Sequence, residues 1–194
     1  MLIWYLARGA GVAAFAALSV ATAAGAITAR RSAAIQRRVL TQYLHRTAAM
    51  TGLLLLGLHV YMVLIDSYAK VGVLGALVPL AAGYRPLAVS LGVLASYLLV
   101  VVAGTGLLRA RFAASARGAR SWRAIHLASY AAWVLAAFHF LTAGTDAGQG
   151  WARLVLLAGT GIVAAGVIVR LTEPQPAPQP AAQPARHQLT GALR

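Results

Sequence analysis

The sequence contains no cysteine. That excludes disulfides, thiolate metal sites, iron–sulfur clusters and covalently attached c-type haem. Carboxylates are almost as scarce, with Asp66, Asp146 and Glu173 making up the whole acidic complement. Two of the three end apolar runs, so hydrolysis by paired carboxylates is not expected. Charge of either sign is short as well, at 10% of 194 residues, against roughly 25% in a soluble domain. So little charge cannot cover a water-facing surface, and a soluble globule is excluded. What is present is 60% hydrophobic, with 17 Lys and Arg giving a net charge of +14. In a soluble protein that excess points to nucleic acid. Here its placement points to a membrane, and no nucleic-acid partner is expected.

Five long runs carry no formal charge: residues 9–29, 47–65, 86–108, 124–145 and 154–169. A helix needs about 20 apolar residues to cross the hydrocarbon core. The first four qualify as they stand. The fifth has 16 residues and spans with Trp151, Leu171 and snorkelling arginines at its ends. The expected fold is all-α, an integral membrane bundle of about five transmembrane helices. The first run, 21 residues before Arg30-Arg31, exceeds the roughly 7–15 apolar residues of a cleaved signal. It is read as a retained helix.

Arginine sets the expected orientation. Arg30, Arg31, Arg37 and Arg38 follow the first run, with Arg46 at the start of the second; Arg109, Arg111, Arg117, Arg120 and Arg123 follow the third. The other connections hold only Lys70 and Arg85, then Arg153. The two basic loops, 30–46 and 109–123, belong on the cytoplasmic side of the plasma membrane, with the N-terminus outside and the C-terminus inside. Residues 71–80 are apolar but too short to span. They read as a short helix at the outer interface, ended by Pro79 and the Tyr84-Arg85-Pro86 turn. Residues 172–194, rich in Pro, Gln and Ala, are expected to be a disordered cytoplasmic tail. No repeat of solenoid type is visible.

Ionisable residues inside a membrane are expensive and functional by default. His45 and His59 fall in the second run, 14 apart; His126 and His139 fall in the fourth, 13 apart; His187 lies in the tail without a role. His59 precedes Asp66 by seven residues, and His139 precedes Asp146 by seven. His45 adjoins Arg46, and His126 follows Arg123 by three. The second and fourth helices run in the same direction. His45 can therefore face His126 near the inner face, and His59 can face His139 near the outer one. Two histidines facing at one depth have the form of axial haem ligands. Without cysteine such haem is b-type, and two are expected, about 21 Å apart at 1.5 Å per residue.

Other residues bear on this reading. Gly52, midway between His45 and His59, would leave room between two macrocycles, or would simply let helices pack closely. Arg46 and Arg123 would pair with haem propionates, or serve only as topological charge. At the outer haem, Lys70, Arg85 and Arg153 are the available cations. One feature of spacing is discordant. At about 100° per residue, 14 residues return His59 to within about 40° of His45. Thirteen leave His139 about 140° from His126, with no Gly or Pro between them to kink the helix. Helix crossing, a π-bulge or tilted haems would each repair the mismatch.

The segments LHRTAAMTGLLLLGLHVYMVLIDSY (44–68) and SWRAIHLASYAAWVLAAFHFLTAGTD (121–146), with YRP at 84–86, resemble the ferric reductase-like transmembrane domain family. That family includes ferric reductases, NADPH oxidases and the haem subunit of periplasmic methionine sulfoxide reductase. The resemblance covers about residues 40–146 and implies two stacked b haems, each held by one histidine from each of two helices. Those ligands fall on His45, His59, His126 and His139, and the family shares the 13- and 14-residue spacings. It makes residues 1–171 the haem domain. The family core has six helices where five are read here, and many relatives carry a flavin and nicotinamide module. This sequence shows no Gly-rich phosphate loop in a βαβ context. The expectation is an electron-transfer, oxidoreductase-type subunit with a separate flavoprotein or quinol donor. Its acceptor is ferric iron or a periplasmic redox protein. The competing reading is a structural or assembly subunit whose histidines are interhelical hydrogen-bond glue. A transporter would show inverted repeats and broken helices, and neither is visible.

Overall fold

A computed structural model describes residues 1–28, 35–67 and 69–172. Arg30, Arg31, Ser32 and the tail at 173–194, with Glu173 and His187, lie outside the described residues. Among these residues there are seven helices and no strand: α1 (Leu2–Thr28), α2 (Ile35–Ile65), α3 (Gly72–Leu77), α4 (Pro86–Leu107), α5 (Arg109–Phe112), α6 (Ala116–Ala143) and α7 (Gly150–Leu171). Five of them, α1, α2, α4, α6 and α7, are long and apolar enough to cross a membrane. The all-α five-helix bundle expected from the sequence is the architecture found.

The helices overrun the charge-free runs. Arg8 lies within α1, Arg37, Arg38 and Arg46 within α2, and Arg117, Arg120 and Arg123 within α6. The basic loops expected at 30–46 and 109–123 are therefore largely helical. Arginine is a good helix former, and its long stem lets the backbone stay helical while the charged head reaches water. The second connection is further shortened by α5 and by Ser115, which caps α6 by accepting from the Gly118 N–H at 3.0 Å. The fifth span, 16 residues by charge, becomes a 22-residue helix from Gly150.

The short helix expected at 71–80 is confined to Gly72–Leu77. Val78 is extended, at φ −115° and ψ 120°, as a residue before proline prefers, so Pro79 ends the helix from one position away. The 66–85 connection is tied down along its length. The Ala69 N–H donates to the Asp66 carboxylate at 2.7 Å. The Leu80 N–H donates to Ser90 Oγ at 2.7 Å, and the Tyr97 hydroxyl donates to the Leu77 carbonyl. Arg85, left-handed at φ 40°, precedes Pro86 at the first turn of α4 and donates to the Thr142 carbonyl at 2.7 Å.

α1 is the centre of the bundle. It packs on α2, α7 and α6, and its alanine-rich sequence makes it the most buried span. Small residues let the neighbours in: Gly159 of α7 meets Phe15 and Ser19, and Gly166 meets Ala23. Its Ser19, Thr22 and Thr28 hydroxyls donate to carbonyls one turn back, at 2.7–2.8 Å. Such bonds satisfy polar groups where lipid offers no partner.

Candidate functional site

The bundle is built from two helical hairpins, α1 with α2 and α4 with α6, each packed along its length. The histidine-bearing helices α2 and α6 make no substantial backbone contact with one another among the described residues, and they are the least buried of the five spans. What bridges the space between them is histidine. The rings of His45 and His126 have centroids 6.0 Å apart, and those of His59 and His139 are 6.3 Å apart. The ring planes cross at 69° and 77°. The structure thus brings together both pairs expected from depth.

Each hairpin's other helix backs its histidines. His59 Nδ1 lies 2.7 Å from the Ala7 carbonyl, His45 Nδ1 lies 2.7 Å from that of Ala21, and His139 Nδ1 lies 2.8 Å from that of Ala88. A carbonyl can only accept, so each of these Nδ1 atoms carries the proton and Nε2 is left as the basic nitrogen. One turn along the same helix stands a glycine. A Cβ on Gly11 would lie 2.8 Å from His59 Nδ1, one on Gly25 would lie 3.0 Å from His45 Nδ1, and one on Gly92 would lie 2.8 Å from His139 Cε1. The histidine rings therefore lie where only glycine leaves room.

These backing residues repeat. Ala7, Gly11, Gly25 and His45 recur 81 positions later as Ala88, Gly92, Gly106 and His126. The glycines are 14 apart in both hairpins, matching the 14 between His45 and His59, whereas His126 and His139 are 13 apart. α6 cannot keep both histidines in register with α4, and the structure resolves the conflict at one end. His139 is in register, and α6 stays α-helical throughout with no π turn. His126 is out of register. Its Cε1 is 4.0 Å from where a Gly106 Cβ would be, and its Nδ1 is buried without a hydrogen-bond partner. The carbonyl at the repeat position, Val102, instead accepts from Thr105 Oγ1 at 3.0 Å. The His126 ring is stacked on Trp122, centroids 4.9 Å apart, with the Arg109 guanidinium over the same indole system, 5.2 Å from the ring centroid.

The donor set fits axial ligation of a macrocycle. A metal–imidazole bond of about 2.0–2.1 Å on each side, with a ring radius of about 1.1 Å, puts facing centroids about 6.3 Å apart. Among the described residues no group of three or more His, Cys, Asp or Glu could close a protein-only metal site. A pair of histidines would suit a metal whose other four positions are held by a flat ligand. Around His59 and His139 lies an apolar cavity whose empty space, mouth included, is about 1410 Å³. Its lining includes Gly11, Gly92, Phe15 and Phe140.

The remaining sequence candidates fall differently. Gly52 is buried, and a Cβ there would lie 2.7 Å from Leu18 Cγ; the space it leaves is filled by α1 rather than held open between the two histidine levels. Arg46 and Arg123 lie at the His45–His126 end and are exposed. Lys70, Arg85 and Arg153 do not line the cavity, whereas Arg8 does, and it is ion-paired with Asp146. Sequence reading missed Arg8 because it treated that residue as the boundary of a span. It missed the backing glycines because a lone glycine in an apolar run has no signature. The 81-residue recurrence was the signal that could have found them. Compared with known protein families, curated proteins and solved structures, the chain matches none.

Proposed function

We propose that this protein is a transmembrane electron-transfer subunit that holds two b-type haems, one between His45 and His126 and one between His59 and His139. The observation that carries the reading is the pair of histidine couples at 6.0 and 6.3 Å on helices that otherwise scarcely meet. A haem b so held supplies a one-electron carrier at each of two depths. The chain's own residues do the rest. The Ala7, Ala21 and Ala88 carbonyls fix the tautomer and aim of three histidines. Gly11, Gly25 and Gly92 make room beside those rings. A mostly apolar lining surrounds the His59–His139 level.

In this reading the arginine-rich end faces the cytoplasm and docks an acidic flavoprotein or accepts electrons from quinol. Electrons leave from the His59–His139 level to ferric iron or a periplasmic redox protein. The rival reading, histidines as interhelical glue, is favoured by the same Nδ1 bonds, which tie each hairpin together. It gives no role to the 6.0 and 6.3 Å separations of the facing rings or to the gap between α2 and α6.

The visible spectrum separates the two readings. Purified protein should show a reducible b-type band with about two haems per chain, and His59→Ala should retain about one. In vesicles with a donor on the cytoplasmic side, that variant should still accept electrons but fail to reduce an impermeant acceptor opposite. No haem in the wild type, or transfer at the wild-type rate in His59→Ala, overturns the proposal.

A further inference from the structure

The cavity around His59 and His139 has two formally charged side chains in a mostly apolar lining, Arg8 and Asp146. Arg8 directly follows Ala7, whose carbonyl holds His59, and lies three residues before Gly11, against which the His59 ring rests. At 1.5 Å per residue that is about 4.5 Å from the ring toward the N-terminal end of α1. Its guanidinium is bounded by the faces of Trp4 and Tyr5, 6.0 and 5.5 Å from their centroids. One terminal nitrogen donates to Asp146, while Nε is buried and has no hydrogen-bond partner.

A guanidinium carries five donors in a rigid fork and cannot shed its charge, so one monodentate carboxylate leaves it under-used. A buried Arg donor without a partner is costly unless something else accepts from it. Among the described residues the only other carboxylate, Asp66, is engaged with the Ala69 N–H. We propose that Arg8 is the anion-binding residue of this cavity, holding a propionate of the macrocycle ligated by His59 and His139; this rests on the haem reading above. Asp146 aims the guanidinium when the cavity is empty and competes with the propionate when it is full. It stands just beyond the end of α6 and is partly exposed, so water can take it over.

The test uses the full chain as apo-protein with His126→Ala, so that only the His59–His139 level is read. It is titrated by absorbance with iron protoporphyrin IX and with its dimethyl ester, which has the same ring but no carboxylates. The free acid should bind roughly ten- to hundred-fold more tightly, the range set by a charge-assisted hydrogen bond to a part-buried guanidinium. Arg8→Gln should erase the preference while still binding the diester, which shows that the cavity is intact. Arg8→Lys should keep part of it. Asp146→Asn should enlarge it, because the competing carboxylate is gone. A purely structural ion pair would move Arg8→Gln and Asp146→Asn in the same direction, and that result overturns the assignment. So does a preference that survives in Arg8→Gln. Uptake of neither compound by the parent protein overturns the haem reading itself, and is distinguished by the loss of diester binding.

Discussion

A methyl group added at Gly92 should disable the His59–His139 level without harming the fold. The new Cβ would lie 2.8 Å from His139 Cε1 and Nδ1 and 3.1 Å from Cγ, where ordinary contact begins near 3.4 Å. The ring must retreat from α4 by about 0.6 Å. That stretches the 2.8 Å bond from Nδ1 to the Ala88 carbonyl past the useful range for N–H···O contacts. The lost bond costs about 1 kcal/mol and overpacking adds about 1–3 kcal/mol. At 1.36 kcal/mol per decade, haem affinity at this level should fall about 30- to 1000-fold. Alanine is also the better helix former by about 1 kcal/mol, which offsets part of that strain, so helix content of the apo-protein should hold while haem is lost. The repeat supplies the control. A Cβ on Gly106 meets nothing nearer than His126 Cε1 at 4.0 Å, so Gly106→Ala should change affinity less than about threefold. Stepwise haem titration of the two variants decides the matter. Equal retention by both would refute the register argument.

Topology can be read by single cysteines, since the chain has none of its own. Ala114→Cys, exposed next to the cap of α6, should be shielded from an impermeant reagent in intact cells, and Ser67→Cys, exposed after α2, should react; reversed labelling inverts the proposed direction of transfer. Ser19 is 1% exposed and couples two helices, its Oγ accepting from Trp133 Nε1 at 2.8 Å while donating to the Phe15 carbonyl. Ser19→Ala should cost about 1–3 kcal/mol by leaving the indole N–H unpaired, and Trp133→Phe should remove most of that penalty in the double variant. Unfolding in detergent with strictly additive losses would count against the coupling.

The four histidines were legible because an apolar run makes any ionisable group conspicuous, and their depths could be matched against Asp66 and Asp146. Depth is a one-dimensional property, and a sequence carries it well. What needed helix pairing was not legible. Nothing in the run around Gly11 says that a ring from α2 will rest there. The join of Arg8 to Asp146 spans 138 positions. Helix ends were misjudged for a related reason. Charge marks where a chain leaves hydrocarbon, not where its hydrogen-bond ladder stops, so α2 and α6 run on through their arginines. The backward stop at Val78 was half legible, since Pro79 was seen but its effect on the preceding residue was not applied.

The 13-residue spacing, discordant on a helical wheel, becomes informative once the hairpins are compared. Two hairpins of like direction, each with a carbonyl and a glycine behind every histidine, would give four equivalent ligands if both spacings were 14. Removing one residue from α6 rotates one histidine out of that scheme by about 100°. The helix could have absorbed this with a π turn, at the expense of its ladder in a medium that offers no other partners. Instead the ladder is kept and the misfit is transferred whole to a side chain. His126 leaves α4, Thr105 takes the Val102 carbonyl, and Trp122 with Arg109 above it takes the place of the backbone as the ring's support. A stacked indole fixes a ring's plane but accepts no N–H, so it does not fix the tautomer as a carbonyl does. The two levels are therefore built unequal: one has both histidines tied to backbone, the other has one tied and one stacked. On the two-haem reading proposed above, identical sites would give no thermodynamic direction to electron movement between them, and this asymmetry is one way in which the chain makes them differ.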